Sequence, residues 1–162
     1  GVPPDLSLLY ALPMVVVTFI WIFFLGGSVE EEFGWRGYAL PRLQANYSAL
    51  TSSVIVGFMW GVWHLPLFYI SYGPYYQSPI WAVILSTILL SILFTWLLNN
   101  TGGSILIALF FHTMYNFPHT IFPTLGMSNS GLYFIIFLAV AVAVVLVIWG
   151  PKRLVRASGV ER

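Results

Sequence analysis

Residues 8–36 read LLYALPMVVVTFIWIFFLGGSVEEEFGWR, an apolar run that leads directly into Glu30, Glu31, Glu32 and Arg36. A stretch of about 20 apolar residues is long enough to cross a bilayer as helix, and Glu31, Glu32 and Arg36 sit at its foot. From Leu43 to Pro151 the chain has no Asp, Glu, Lys or Arg, so the polar chemistry of that interval rests on His64, His112, Asn116, His119 and uncharged groups. Ionisable side chains at membrane depth are costly, and their default reading is functional.

Composition agrees with this reading. Of 162 residues, 59% are hydrophobic, 7% charged and 18% aromatic, and the mean hydropathy is +0.90, which excludes an ordinary soluble domain. A chain of this length accommodates about five spans and little else, so the expected fold is all-α: a polytopic transmembrane helical bundle forming a single integral-membrane domain over 1–162. The net charge of +1, with basic residues few and at span ends, gives no nucleic-acid footprint. Cysteine is absent, which removes disulfides and thiolate catalysis. The chain opens Gly-Val-Pro-Pro, with no basic segment before the first apolar run, so no signal peptide is expected and a trimmed N-terminus is.

Five spans are expected in order. The first covers about Leu8–Gly27 and is able to continue as helix through the glutamates to Leu40, where Pro41 discourages continuation. The second covers about Ser52–Ile70, the third Ile80–Leu98, ending at Asn99-Asn100-Thr101-Gly102-Gly103, the fourth Ser104–Phe122 and the fifth Leu132–Trp149. Arg36 and Arg42 follow the first span, and Lys152, Arg153, Arg156 and Arg162 follow the fifth. The positive-inside rule puts both groups, and hence the C-terminus, in the cytoplasm. Four crossings separate them, an even number, as that placement requires. His64 then lies roughly 18 Å into the second span and His112 about 12 Å into the fourth, so with the glutamates they converge on a polar cavity in the cytoplasmic half of the bundle.

Spacing within the groups points the same way. Glu32 and Arg36 are i and i+4, the favourable order for an ion pair on a helix, while Glu31 projects about 100° away and Glu30 carries no distinguishing feature. His112 and Asn116 are also i and i+4 on one face, with His119 a turn further on unless Pro118 displaces it. His64 precedes Pro66, a pattern that suits a bent helix opening onto a polar cavity. Simpler readings exist for each feature: a solvated acidic helix end for the glutamates, and a histidine that merely bonds two helices together for His64 or His119. Tyr69, Tyr72, Tyr75 and Tyr76 suit an interfacial aromatic belt better than a vestibule.

Glu31-Glu32-Phe33-Gly34-Trp35-Arg36 matches an EExxxR motif, Trp60-Gly61-Val62-Trp63-His64 approximates FxxxH, and His112-Thr113-Met114-Tyr115-Asn116 matches HxxxN, in that order. In these motifs, spread over Ser28 to Asn116, the chain resembles the CPBP family of intramembrane proteases, which groups CAAX prenyl endopeptidases with bacteriocin-processing and abortive-infection proteins. Trp60 stands where the pattern has Phe, keeping an aromatic wall. The resemblance implies an intramembrane endopeptidase acting on a peptide or protein substrate at the lipid bilayer. It assigns Glu31 and His64 to binding and activating a water, and His112 and Asn116 to the scissile carbonyl, with the Asn amide as oxyanion donor. Glu32 and Arg36 take a supporting role. No cofactor is expected. The alternative is zinc held by Glu31, His64 and His112, although the compact HExxH arrangement is lacking. Two other classes stay open at this level: a non-catalytic immunity or chaperone-like protein that binds peptide without cutting it, and half of a transporter.

Overall fold

The computed structural model describes residues 7–71, 73, 75–76, 78–121 and 130–156, with side chains for all of these except 7–11, 119, 121 and 130. Every regular element among them is helical: α1 (Ser7–Leu25), α2 (Ser28–Glu32), a π-helical segment (Phe33–Ala39), α3 (Leu40–Gln44), α4 (Ala49–Trp63), a 3-10 turn (Leu65–Tyr69), α5 (Ile80–Asn100), α6 (Ile105–Ile121) and α7 (Ser130–Trp149). Among the described residues four helical runs are long and apolar enough to cross a membrane, 12–44, 49–69, 80–100 and 131–149. The expected fourth span, Ser104–Phe122, corresponds to α6, Ile105–Ile121, of which the apolar stretch Ile105–Pro118 is roughly 20 Å long.

The first span differs from expectation in two ways. It breaks at Gly26 and Gly27, where Gly27 takes φ 96°, a conformation that favours glycine, and resumes at Ser28. It then widens into the π-helical turn, passes Pro41 and ends at Gln44. Pro41 does not stop it because it lies in the first turn of α3, where a missing N–H is tolerated. Helix α5 likewise runs two residues past its expected end, since the Asn100 side chain donates back to the Trp96 carbonyl at 2.7 Å.

Helix α5 is the centre of the bundle, contacting α4, α6 and α7, while α1 lies outside against α6. Phe94, Leu90, Val56, Trp60, Ala108 and Leu138 are among the core residues contributed by these four helices. The α4–α5 contact is the closest because Gly57 and Gly61 present no side chain to it. A Cβ on Gly57 would lie 2.5 Å from the Ile88 Cα, and one on Gly61 would lie 2.6 Å from Thr87 Oγ1. Small residues spaced by four let two membrane helices approach in this way, and Ser53 Oγ adds a bond to Thr95 Oγ1 across the same interface at 2.7 Å. The outward faces are apolar, with Val147 85% exposed, as suits a surface solvated by lipid rather than water.

One end of the bundle is held by a clasp. The free N–H groups of Ala49 and Leu50 at the start of α4 donate to the Lys152 and Pro151 carbonyls, and Asn99 Nδ2 donates to Gln44 Oε1 and to the Arg153 carbonyl, both at 2.8 Å. The end of α3, the start of α4 and the ends of α5 and α7 therefore share one face, which puts Arg42 and Lys152 on the same side as their charge predicts.

Candidate active site

Helix α2 is too short to be stable alone and is defined by what it buries. Ser28, Glu32 and Arg36 follow at four-residue intervals and are all fully buried, while Glu30 is exposed and Glu31, turned to one side, is half-buried. Ser28 Oγ accepts a hydrogen bond from Thr113 Oγ1 at 3.0 Å, which pins α2 to α6.

One turn along that face, Glu32 Oε1 accepts from Arg36 Nη1 at 2.9 Å and from His112 Nδ1 at 2.7 Å. The expected i, i+4 ion pair forms, and it reaches a third residue on another helix. Because a carboxylate oxygen only accepts, Nδ1 of His112 carries the hydrogen and Nε2 is the ring nitrogen left for other work. The Arg36 guanidinium lies between two aromatic faces, 4.4 Å from the Trp60 ring centroid and 3.9 Å from that of Phe94. Among the described residues its Nε and Nη2, and Oε2 of Glu32, have no hydrogen-bond partner.

Glu31 is held separately. Its Oε2 accepts from the indole Nε1 of Trp60 at 2.5 Å. His64, at the C-terminal cap of α4 where the chain turns into the 3-10 segment, donates from Nδ1 to the Trp60 carbonyl at 2.8 Å. A carbonyl is also only an acceptor, so Nε2 is again the free nitrogen. The bend anticipated before Pro66 is present. A cavity of about 520 Å³ opens beside Glu31, walled also by Trp35, Tyr38 and Trp63; His64, His112 and Asn116 do not line it. The two histidine rings sit instead around Trp60, with centroids 5.8 Å (His64) and 5.6 Å (His112) from it. Asn116 is half-buried on α6, one turn beyond His112. The side chain of His119 lies outside the described residues.

Three contacts were not legible in the sequence: the indole bond to Glu31, the Glu32–His112 bond, and Tyr75. The Tyr75 ring stacks on Phe68 at 5.5 Å and meets the His64 ring edge-on at 5.2 Å. Burial pushes its phenol pKa up, with smaller contributions from Tyr115 and Glu31. The one available signal was Trp60 itself, which brings a donor to a position where the motif has Phe.

Among the described residues no three His, Cys, Asp or Glu side chains gather as the ligand set that the zinc alternative needs, while His64 and His112 each hold Nδ1 on an oxygen and keep Nε2 free.

Residues 13–118, well over half of the chain and all three motifs, match the family described as type II CAAX prenyl endopeptidase Rce1-like. The chain belongs to that family. It is similar to CAAX prenyl protease 2 of Methanococcus maripaludis, with 36% identity over 92 residues that cover 53% of this chain and 34% of the relative. The chain thus spans about a third of the length of the curated relative it matches. No solved structure matches it. Membership places this apolar, all-helical chain in a family of membrane endopeptidases.

Proposed function

We propose that this chain carries the catalytic centre of an intramembrane endopeptidase that hydrolyses a peptide bond with water activated by Glu31 and His64. The observation that carries this reading is that the Glu31 carboxylate and the His64 imidazole are both tethered to Trp60 inside a membrane helix bundle whose fully buried charges, Glu32 and Arg36, are paired with each other. Glu31 takes a proton from water as it attacks the carbonyl carbon, and His64 orients that water through Nε2. The proton then passes to the leaving amine as the tetrahedral intermediate collapses. His112 Nε2 and the Asn116 amide face the scissile carbonyl, and the amide donates to the oxyanion. Glu32 and Arg36 keep His112 in its tautomer and place. No metal ion takes part in this scheme.

The substrate is a peptide or protein presented at the membrane, and the name of the Methanococcus maripaludis relative makes a prenylated CAAX peptide the first to test. The site opens towards the cytoplasm, the side assigned to Arg42, Lys152 and the C-terminus by the positive-inside rule.

The test is cleavage of fluorogenic peptides, with and without a prenylated C-terminal cysteine, by protein purified in detergent. Wild type and Glu31→Ala are compared, each with and without a chelator. Cleavage abolished by Glu31→Ala and unaffected by chelation supports the scheme. Loss on chelation with rescue by zinc overturns its metal-free part, and tight peptide binding without cleavage by either protein identifies a non-catalytic binder.

A further inference from the structure

Trp60 is 2% exposed and meets Glu31, His64, Arg36 and His112. Its indole N–H donates to Glu31 Oε2, its carbonyl accepts from His64 Nδ1, and its ring lies over Arg36 and beside His112. The helix that carries it is fixed in depth by the Gly57 and Gly61 contacts with α5. The other oxygen of Glu31 is confined from the opposite side by Gly27, where a Cβ would lie 2.6 Å from Oε1. The carboxylate is therefore bounded by a donor on one oxygen and by a backbone that only glycine leaves open on the other.

We propose that Trp60 is a positioning residue that sets Glu31 and His64 in mutual register, through its indole N–H and its carbonyl respectively, with Gly27 completing the cradle of the carboxylate. This rests on the hydrolase reading for its catalytic consequence, but not for its geometry. Phenylalanine, the residue of the family motif, retains the carbonyl and an aromatic face for Arg36 and supplies no donor. In this chain the indole therefore makes a bond that the motif residue is unable to make.

The experiment uses the full chain in detergent micelles, in two arms. In the first, Trp60→Phe is compared with wild type for melting temperature and for kcat and KM on a cleaved peptide. The expected result is a melting temperature lowered by no more than a buried large-to-small change explains and a kcat lower by roughly 10- to 100-fold at a temperature where both proteins are folded, the range for a displaced catalytic group, with KM little altered. A kcat within about twofold of wild type overturns the proposal. In the second arm, 15N-indole NMR identifies the Trp60 resonance as the peak missing from Trp60→Phe. Glu31→Gln is then measured in the chain that keeps Trp60. The resonance moves when the charged acceptor is lost, and a resonance that stays in place overturns the proposal. Because the second arm needs no turnover, wild-type protein that cleaves nothing counts against the hydrolase reading while the indole resonance still decides the role of Trp60. Gly27→Ala, which presses on the same carboxylate from the other side, shifts that resonance as well.

Discussion

Oε1 of Glu32 lies 2.7 Å from Nδ1 of His112 and 2.9 Å from Nη1 of Arg36, so a single buried oxygen joins the first and third motifs across 80 positions of chain. Removing one member leaves a charge buried without its partner, which costs about 3–5 kcal/mol, whereas replacing both charges costs much less. Glu32→Gln and Arg36→Met are each expected to lower thermal stability in detergent sharply, and the double variant by less than the sum of the two. A double-mutant cycle with additive losses would contradict the coupling.

Asn116 lies one turn beyond His112 on the same face of α6 and is half-buried, so part of its surface is open to a substrate. Asn116→Ala is expected to reduce kcat by roughly 10²–10³-fold, the usual loss of one oxyanion donor, with little effect on KM or folding. Steady-state kinetics on the peptide cleaved by wild type checks this, and a change confined to KM would remove Asn116 from the oxyanion role.

Glycine content alone does not identify which glycines matter. Gly57→Ala would put a Cβ 2.5 Å from Ile88 Cα and 2.8 Å from the Thr87 carbonyl, forcing α4 from α5 at a cost of about 1–3 kcal/mol. Gly34, where an added methyl would meet nothing within 4 Å, is the contrasting site, and alanine there is expected to be neutral or to stabilise by about 0.5–1 kcal/mol. Melting curves of the two variants, moving in opposite directions or nearly so, test the close approach.

The Tyr75 phenol, in the loop between the 3-10 turn and α5, has its pKa raised by burial and then by Tyr115 and Glu31. An unfolded tyrosine ionises near pH 10, so the stability associated with the neutral buried phenol is complete below about pH 10 and declines as pH rises above it. Tyr75→Phe is expected to make the alkaline loss of stability less steep. Unfolding midpoints measured on both proteins through that range decide it, and identical slopes would contradict the buried phenol.

Much of the fold was legible because it follows from local pattern. The apolar runs gave the helices, and the even number of crossings between the two basic groups agrees with the clasp that brings Gln44, Ala49, Asn99 and Lys152 to one end. The continuation past Pro41 was missed because proline's effect depends on whether its position needs an N–H, which a helix changing from π to α geometry determines. For the candidate site, the Glu32–Arg36 pair was visible as a four-residue spacing, but its extension to His112 was not.

The sequence by itself determined the solvent, the helical class, the family motifs and the pairs that share one helix face, since each depends on composition or on a fixed number of residues per turn. Only the tertiary structure decided that Glu32 rather than Glu31 meets His112 and that Trp60 holds Glu31. Those choices depend on how α2, α4 and α6 are rotated and advanced against one another, and that is set by the break at Gly27, the π-helical turn and the close approach at Gly57. These act together over the whole bundle and leave no periodic trace in the chain.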